Sequence, residues 1–112
     1  MINTYSIKDD TLFQKLINKG TWYGANFICA YILPNNSDAN NIGLGIGKKV
    51  GKAYRRNRLK RLIKAAYTNL EPDIKYGYDI LFVWKSKANY DEVTYNGIYK
   101  DLNYILRKAG LI

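Results

Sequence analysis

The sequence predicts an α/β (α+β) two-layer sandwich, a mixed β-sheet layered against helices, in a single domain spanning residues 1–112. Three observations predict it. Apolar residues recur at helical spacing near both ends and in the middle of the chain. Between Ile42 and Gly47 they alternate strictly, and from Ala53 the period lengthens from two residues to 3.6. Asp79 to Trp84 (DILFVW) is a continuous apolar run of strand length, the pattern of a central strand buried on much of both faces.

The elements follow in order. Asp9 or Asp10 can cap a first helix carrying Leu12, Phe13, Leu16 and Ile17, and Gly20 ends it. Trp22 to Leu33, rich in aromatic and β-branched residues, reads as one long strand or a bent pair. Pro34 to Asp38 (PNNSD) is a turn cluster, and Ile42–Gly47 a strand. Leu59, Leu62, Ile63, Ala66, Tyr67 and Leu70 make an amphipathic helix that Pro72 stops. The Asp79–Trp84 strand follows. Asp91 is the expected cap of a last helix with Val93, Ile98, Leu102, Ile105 and Leu106 facing inward. The order is α-β-β-α-β-α, or with one more strand if the first is split. Ile42–Gly47, the middle helix and Asp79–Trp84 form the pattern of a βαβ unit.

The charge is concentrated. The formal net charge is +9, and the 32 residues from Ala39 to Leu70 hold nine basic and no acidic side chains, against nine of each elsewhere. The whole excess therefore lies in one segment, which repels itself in the free protein and suits a polyanionic partner. A merely solvated helix face would mix both signs. On the helical wheel Asn57, Arg58, Lys60, Arg61 and Lys64 point away from the apolar stripe. Lys52, Arg55 and Arg56 fall on the stripe side and are expected beyond the sheet edge, because unpaired charges in a core are prohibitively costly. There, with Lys48 and Lys49, they crowd the positive pole of the helix dipole, which disfavours folding and favours phosphate. Asn57 is open to three roles: a surface residue, an orienter of Arg56 and Arg58, or a reader of a base or ribose edge.

The strand Ile42–Gly47 adds a second feature. Ile42, Leu44 and Ile46 form one face, while Gly43, Gly45 and Gly47 form the other and mark close approach of another backbone or a ligand. If Phe27, Cys29 and Tyr31 share that face, the result is a shallow trough with aromatic walls, suited to a single nucleic-acid strand. The wheel leaves open whether Phe13 and Ile17 wall the trough or fill the core.

Several functions are disfavoured. The chain has no His and one Cys, which leaves little for a transition-metal site or for acid–base chemistry at neutral pH, and no internal disulfide can form. Gly51-Lys52 fails the phosphate-loop spacing, because Ile46 stands where the first Gly belongs and Ala53 where Ser or Thr does. No catalytic residues and no metal ligands are assigned. No signal-peptide pattern or membrane-length apolar run is present, so a cytoplasmic setting is expected. A membrane-surface role conflicts with the sheet's need for the basic helix's apolar face.

The run GLGIGKKVGKAYRRNRLKRLIKAAY resembles the signature of the bacterial ribonuclease P protein subunit, a strand of the type VGLSVSKK followed by G-x-A and an RNR-x-KR helix. Phe13, Gly20, Tyr31 and GYDILFVWK (Gly77 to Lys85) extend the likeness in the same order. The resemblance implies a ribosomal protein S5 domain 2-like fold, α-β-β-β-α-β-α with a left-handed βαβ crossover. It implies a ribonucleoprotein endonuclease that removes the 5′ leader of precursor tRNA, in which the RNA subunit is the catalyst and uses Mg²⁺. By the same resemblance Lys48, Lys49, Arg56, Asn57, Arg58, Lys60 and Arg61 meet the catalytic RNA or the leader junction. Lys52, Arg55 and Lys64 join that surface by position. Phe13, Ile17 and Tyr31 line the leader cleft, with Lys85 where the family has Arg; Phe27, Gly43, Gly45 and Gly47 complete it. Gly45 and Gly47 replace family serines, Lys52 replaces a common Asn, and Asp9 and Asp10 stand where the N-terminal arm is usually basic. The rival reading is another RNA-binding module, such as a ribosomal protein.

Overall fold

The structure, a computed structural model, describes residues 2–112. Its elements are β1 (Thr4–Ser6), α1 (Asp10–Lys19), β2 (Thr21–Gly24), β3 (Ile28–Pro34), β4 (Asn40–Gly45), α2 (Ala53–Leu70), β5 (Tyr78–Trp84) and α3 (Tyr95–Lys108). They form one mixed five-stranded sheet, in the order β1-β4-β5-β3-β2. β4 is parallel to both β1 and β5, and β3 is antiparallel to both β5 and β2. Since β4 and β5 are parallel neighbours, α2 is the crossover helix of the expected βαβ unit.

Local chemistry sets the boundaries. The Asp9 carboxylate accepts from the Thr11 N–H at 2.9 Å and opens α1, and the Gly20 N–H donates to Leu16 O to close it. Of the two readings of Trp22 to Leu33, one long strand or a bent pair, the structure has the pair, as a hairpin. It breaks at Ala25–Phe27 because the buried Asp101 carboxylate on α3 accepts from the N–H groups of Asn26, Phe27 and Ile28, at 3.3, 2.7 and 3.3 Å. A carboxylate far along the chain thus satisfies backbone donors that a continuous ladder would otherwise hold.

The two faces of the sheet are packed differently. Alternate residues of the central strands, such as Ile28, Ile80 and Phe82, are fully buried beneath α2 and α3. The intervening positions, Tyr31, Leu81 and Val83, pack with Leu16 and Phe13 of α1 in a smaller second cluster. The ten-residue α1 leaves part of that face uncovered.

Three features differ from the expectations. The first is β1, three residues with no pattern of their own, parallel to β4. It is held by a buried relay: Asn40 Nδ2 donates to Tyr67 Oη, the Tyr67 hydroxyl to Thr4 Oγ1, and Thr4 Oγ1 to the Glu71 carboxylate. Each hydroxyl has one proton to give, and Thr4 gives its own to Glu71, which sets the direction. The second is the cap of the last helix. Asp91 lies in a separate 3-10 turn, Tyr90–Glu92, and Thr94 Oγ1 caps α3 by accepting from Gly97 N–H at 3.0 Å. The buried, extended Val93 separates turn from helix. The third is the end of β4, which stops at Gly45, after which the chain turns through a 3-10 segment, Lys48–Val50.

No helix among the described residues is long and apolar enough to cross a membrane.

Candidate nucleic-acid interface

The N-terminus of α2 has no side-chain cap and no acidic residue in its first turn. Gly51 aims it. Its φ of +124° and ψ of −146° belong to glycine, and a Cβ there would also lie 3.2 Å from Arg55 Cδ. Lys48, Lys49 and Lys52 are exposed around this turn, and Asn57, Arg61 and Lys64 are exposed along the helix. The uncapped N–H groups and the cations point to the same ligand chemistry, an anion.

The arginines are not equivalent. Arg55 and Arg58 both lie over the Tyr90 ring, with Cζ 4.7 and 5.5 Å from its centroid. Arg58 also donates from Nη2 to Val93 O at 3.1 Å. Arg55 lies 3.9 Å from the exposed Asp91 carboxylate, a surface pair of small energetic weight. The expectation that Arg58 points away from the fold is corrected here. It is half-buried and ties α2 to the segment before α3. Its tether is tertiary, from residues more than thirty positions later, so a wheel drawn on α2 alone does not contain it. Among the described residues Asn57 makes no side-chain hydrogen bond, and it is Tyr90 and Val93 that orient Arg58, and Tyr90 and Asp91 that orient Arg55.

The glycine face divides in three. A Cβ on buried Gly43 would lie 3.0 Å from Phe13 Cζ and 3.2 Å from Leu81 Cδ1, so the α1 ring itself occupies that position. At Gly45 a Cβ would meet Val83 Cγ2 at 3.1 Å, and at Gly47 it would meet nothing within 4 Å. The uncovered part is a trough of about 520 Å³ lined by Cys29, Gly45, Gly47, Lys48, Lys49 and Lys85, among others. Burial pushes the Cys29 thiol above its ordinary value, while the Trp22 indole N–H and the Lys85 ammonium pull the other way. Lys85 also donates from Nζ to Ala25 O at 2.8 Å.

A second, smaller hollow contains Phe13, Gly43, Leu44, Lys60 and Lys64. It exists because β1 pairs only with Asn40–Ile42, leaving the edge of β4 beyond Ile42 free. The lysines of α2 therefore meet the α1 face around the rim of the sheet.

Of the expected cleft residues, Phe13 and Tyr31 lie on the trough face, and Ile17, four residues after Phe13 on α1, is 44% exposed. Phe27 does not belong with them. It stacks on Trp84, at 6.2 Å between centroids and 18° between planes, beneath Gly97 of α3. The parity that would place it with Cys29 and Tyr31 ends at the Asp101-bound turn. Trp22, outside the expected set, is on the same face as Tyr31, with which it pairs across the hairpin. The signal for it is the hairpin register, which is legible only once the break at Ala25–Phe27 is known.

Comparison with known proteins fits this geometry. The family model described as Ribonuclease P matches residues 1–110. The ribonuclease P protein component of Clostridioides difficile (strain 630) is 36% identical over 109 residues, covering 96% of this chain and 94% of that protein. The structure of the Staphylococcus aureus RNase P protein superposes with a TM-score of 0.84 at 28% identity, covering 96% of each chain. The Thermotoga maritima RNase P protein shares the fold, with a TM-score of 0.82 at 22% identity over 92% of this chain and 96% of that one. By the extent of these matches, the chain belongs to the bacterial ribonuclease P protein family, the protein subunits of that endoribonuclease.

Proposed function

We propose that the chain serves tRNA 5′ maturation in the cytoplasm by seating on the catalytic RNA of ribonuclease P through α2 and holding the single-stranded 5′ leader of precursor tRNA in the trough. In this reading the RNA carries out the hydrolysis with its own Mg²⁺, and the protein positions the substrate. One observation carries it: the cations of α2 and the glycine-floored trough adjoin around the free edge of β4. A structured RNA on α2 and a single strand on the sheet can then be continuous parts of one assembly. Phosphates suit Lys48, Lys49, Lys52, Lys60, Arg61 and Lys64, while Phe13 and Tyr31 supply the apolar side that bases stack on.

The test is cleavage of a precursor tRNA by a bacterial ribonuclease P RNA at low Mg²⁺, with and without the protein. Cleavage is expected to depend on the protein, and the benefit to shrink when the leader is cut to one nucleotide. If about six cations meet phosphates, log K falls with log salt at a slope of roughly −4 to −5. Salt-sensitive RNA binding without stimulation of cleavage would overturn the proposal in favour of a general RNA-binding module.

A further inference from the structure

The geometry points to Trp22 as an additional base-stacking residue that extends the single-strand trough across β3 to the outer strand β2. This inference rests on the reading that the leader lies in the trough, and it adds a residue of this chain to that site.

Three observations carry it. The first is register. Trp22 pairs with Tyr31, Tyr31 with Leu81 and Leu81 with Gly43, so the four form one row across the α1 face of the sheet. The adjacent row, Gly24, Cys29, Val83 and Gly45, includes three residues that line the trough. From β4 to β2 such a row spans about 14 Å, three strand spacings.

The second is the attitude of the ring. A Cβ at Gly24 would lie 2.7 Å from Trp22 Cζ2, 3.1 Å from Cζ3, and closer still to Cη2. The six-membered ring therefore lies over Gly24 with one face against the strand. Trp22 is nevertheless 54% exposed. An indole laid flat on a sheet, at the end of a groove, offers its other face to a planar ligand.

The third is a neighbouring cation. Lys85 lines the trough and reaches Ala25 O, the residue after Gly24. An ammonium has three donors, and this contact uses one of them. A phosphate on Lys85 would leave its base within reach of Trp22.

A lone exposed aromatic is ordinary. What sets this one apart is the conjunction of face, flat attitude and adjacent cation. The ligand is a base of a single nucleic-acid strand.

The test uses holoenzyme assembled on bacterial ribonuclease P RNA. Precursor tRNA affinity is measured against leader length for the wild type, Trp22→Ala, Trp22→Phe and Tyr31→Ala. Trp22→Ala is expected to lower affinity for long-leader precursors roughly fivefold or more, with the loss growing with leader length, and Trp22→Phe to restore most of it. A wild-type length dependence in Trp22→Ala, beside a flattened one in Tyr31→Ala, would overturn the Trp22 inference and leave the trough reading standing. A length dependence unaltered in every variant would overturn both. A loss equal at all leader lengths would also overturn the inference, since it would mark assembly or folding. A measurement without substitution stands beside these. Trp84 borders the trough but is only 8% exposed, so quenching of tryptophan emission by a leader-length single-stranded RNA, and not by a duplex, that is lost in Trp22→Phe reports Trp22. Failure to quench under saturating RNA would count against stacking.

Discussion

The two faces of the sheet use the same strands to opposite ends. Beneath α2 and α3 the central strands present mostly large, enclosed residues: Ile28, Ile80 and Phe82 are completely buried, and only Ala30 among the buried ones is small. Beneath α1 the same strands offer Gly43, Gly45, Cys29 and Val83, and cover is partial. The difference lies in what completes each face. The first is completed by the protein itself and gains the full hydrophobic term. The second has small residues where a helix would need large ones, and lysines at its rim. It is stable enough because Phe13 and Leu16 close one end, and the remainder is open to a ligand.

The sharpest way to break this comparison is to truncate matched neighbours on β5. Phe82→Ala is expected to cost about 3–5 kcal/mol, the range for a buried aromatic. Val83→Ala, one residue on and half-buried, should cost less than about half of that. Urea denaturation checks both, and equal costs would mean the faces are equally load-sharing.

Arg58 and Arg61 sharpen the comparison along α2. Arg58→Ala removes the bond to Val93 O and the contact with Tyr90, so it should cost about 1–2 kcal/mol of stability as well as RNA affinity. Arg61 is exposed, and Arg61→Ala should spare the fold while reducing the salt slope of RNA binding by about 1. Thermal unfolding beside filter binding separates them; equal Tm values for the two variants would contradict the tether.

The glycine face can be divided in the same manner. Gly43→Ala must displace the Phe13 ring and is expected to cost about 1–2 kcal/mol. Gly47→Ala meets open space at a negative φ and should be neutral or stabilise by up to about 1 kcal/mol. Chemical denaturation distinguishes the two, and a large loss at Gly47 would show that its backbone, not its openness, matters.

The smallest effect is one of pH. Desolvation raises the Cys29 thiol above its ordinary 9.0 and the Tyr67 phenol above its ordinary 10.0, against the opposing N–H donors of Trp22 and Asn40 respectively. The folded chain therefore keeps protons that the unfolded chain releases. Their contribution is complete below the ordinary values and is lost as pH rises through the raised ones. Tm should decline above about pH 9, and less steeply in Cys29→Ala and Tyr67→Phe. A decline equally steep in both variants would assign it to other groups.

Much of this molecule is determined locally and is legible in the chain. Helical spacing set the middle helix, the apolar run set the central strand, and Gly20 and Pro72 lie just past the ends of helices, Gly20 in extended backbone where a Cβ would crowd Leu16 O and Pro72 where a helical ladder cannot continue. The charge cluster is a property of composition, so no fold was needed to find it. What tertiary structure alone decided has a common physical cause: polar groups satisfied by partners far away in sequence. β1 depends on Tyr67 and Glu71, the break between β2 and β3 on Asp101, and the inward turn of Arg58 on Val93. Those bonds also decided which aromatics face the trough. They turned Phe27 away from it and, by creating the hairpin, brought Trp22 beside Tyr31. Periodicity reports which residues share a face within one uninterrupted element. It carries no information where a distant carboxylate ends the element, and that is where part of this site was made.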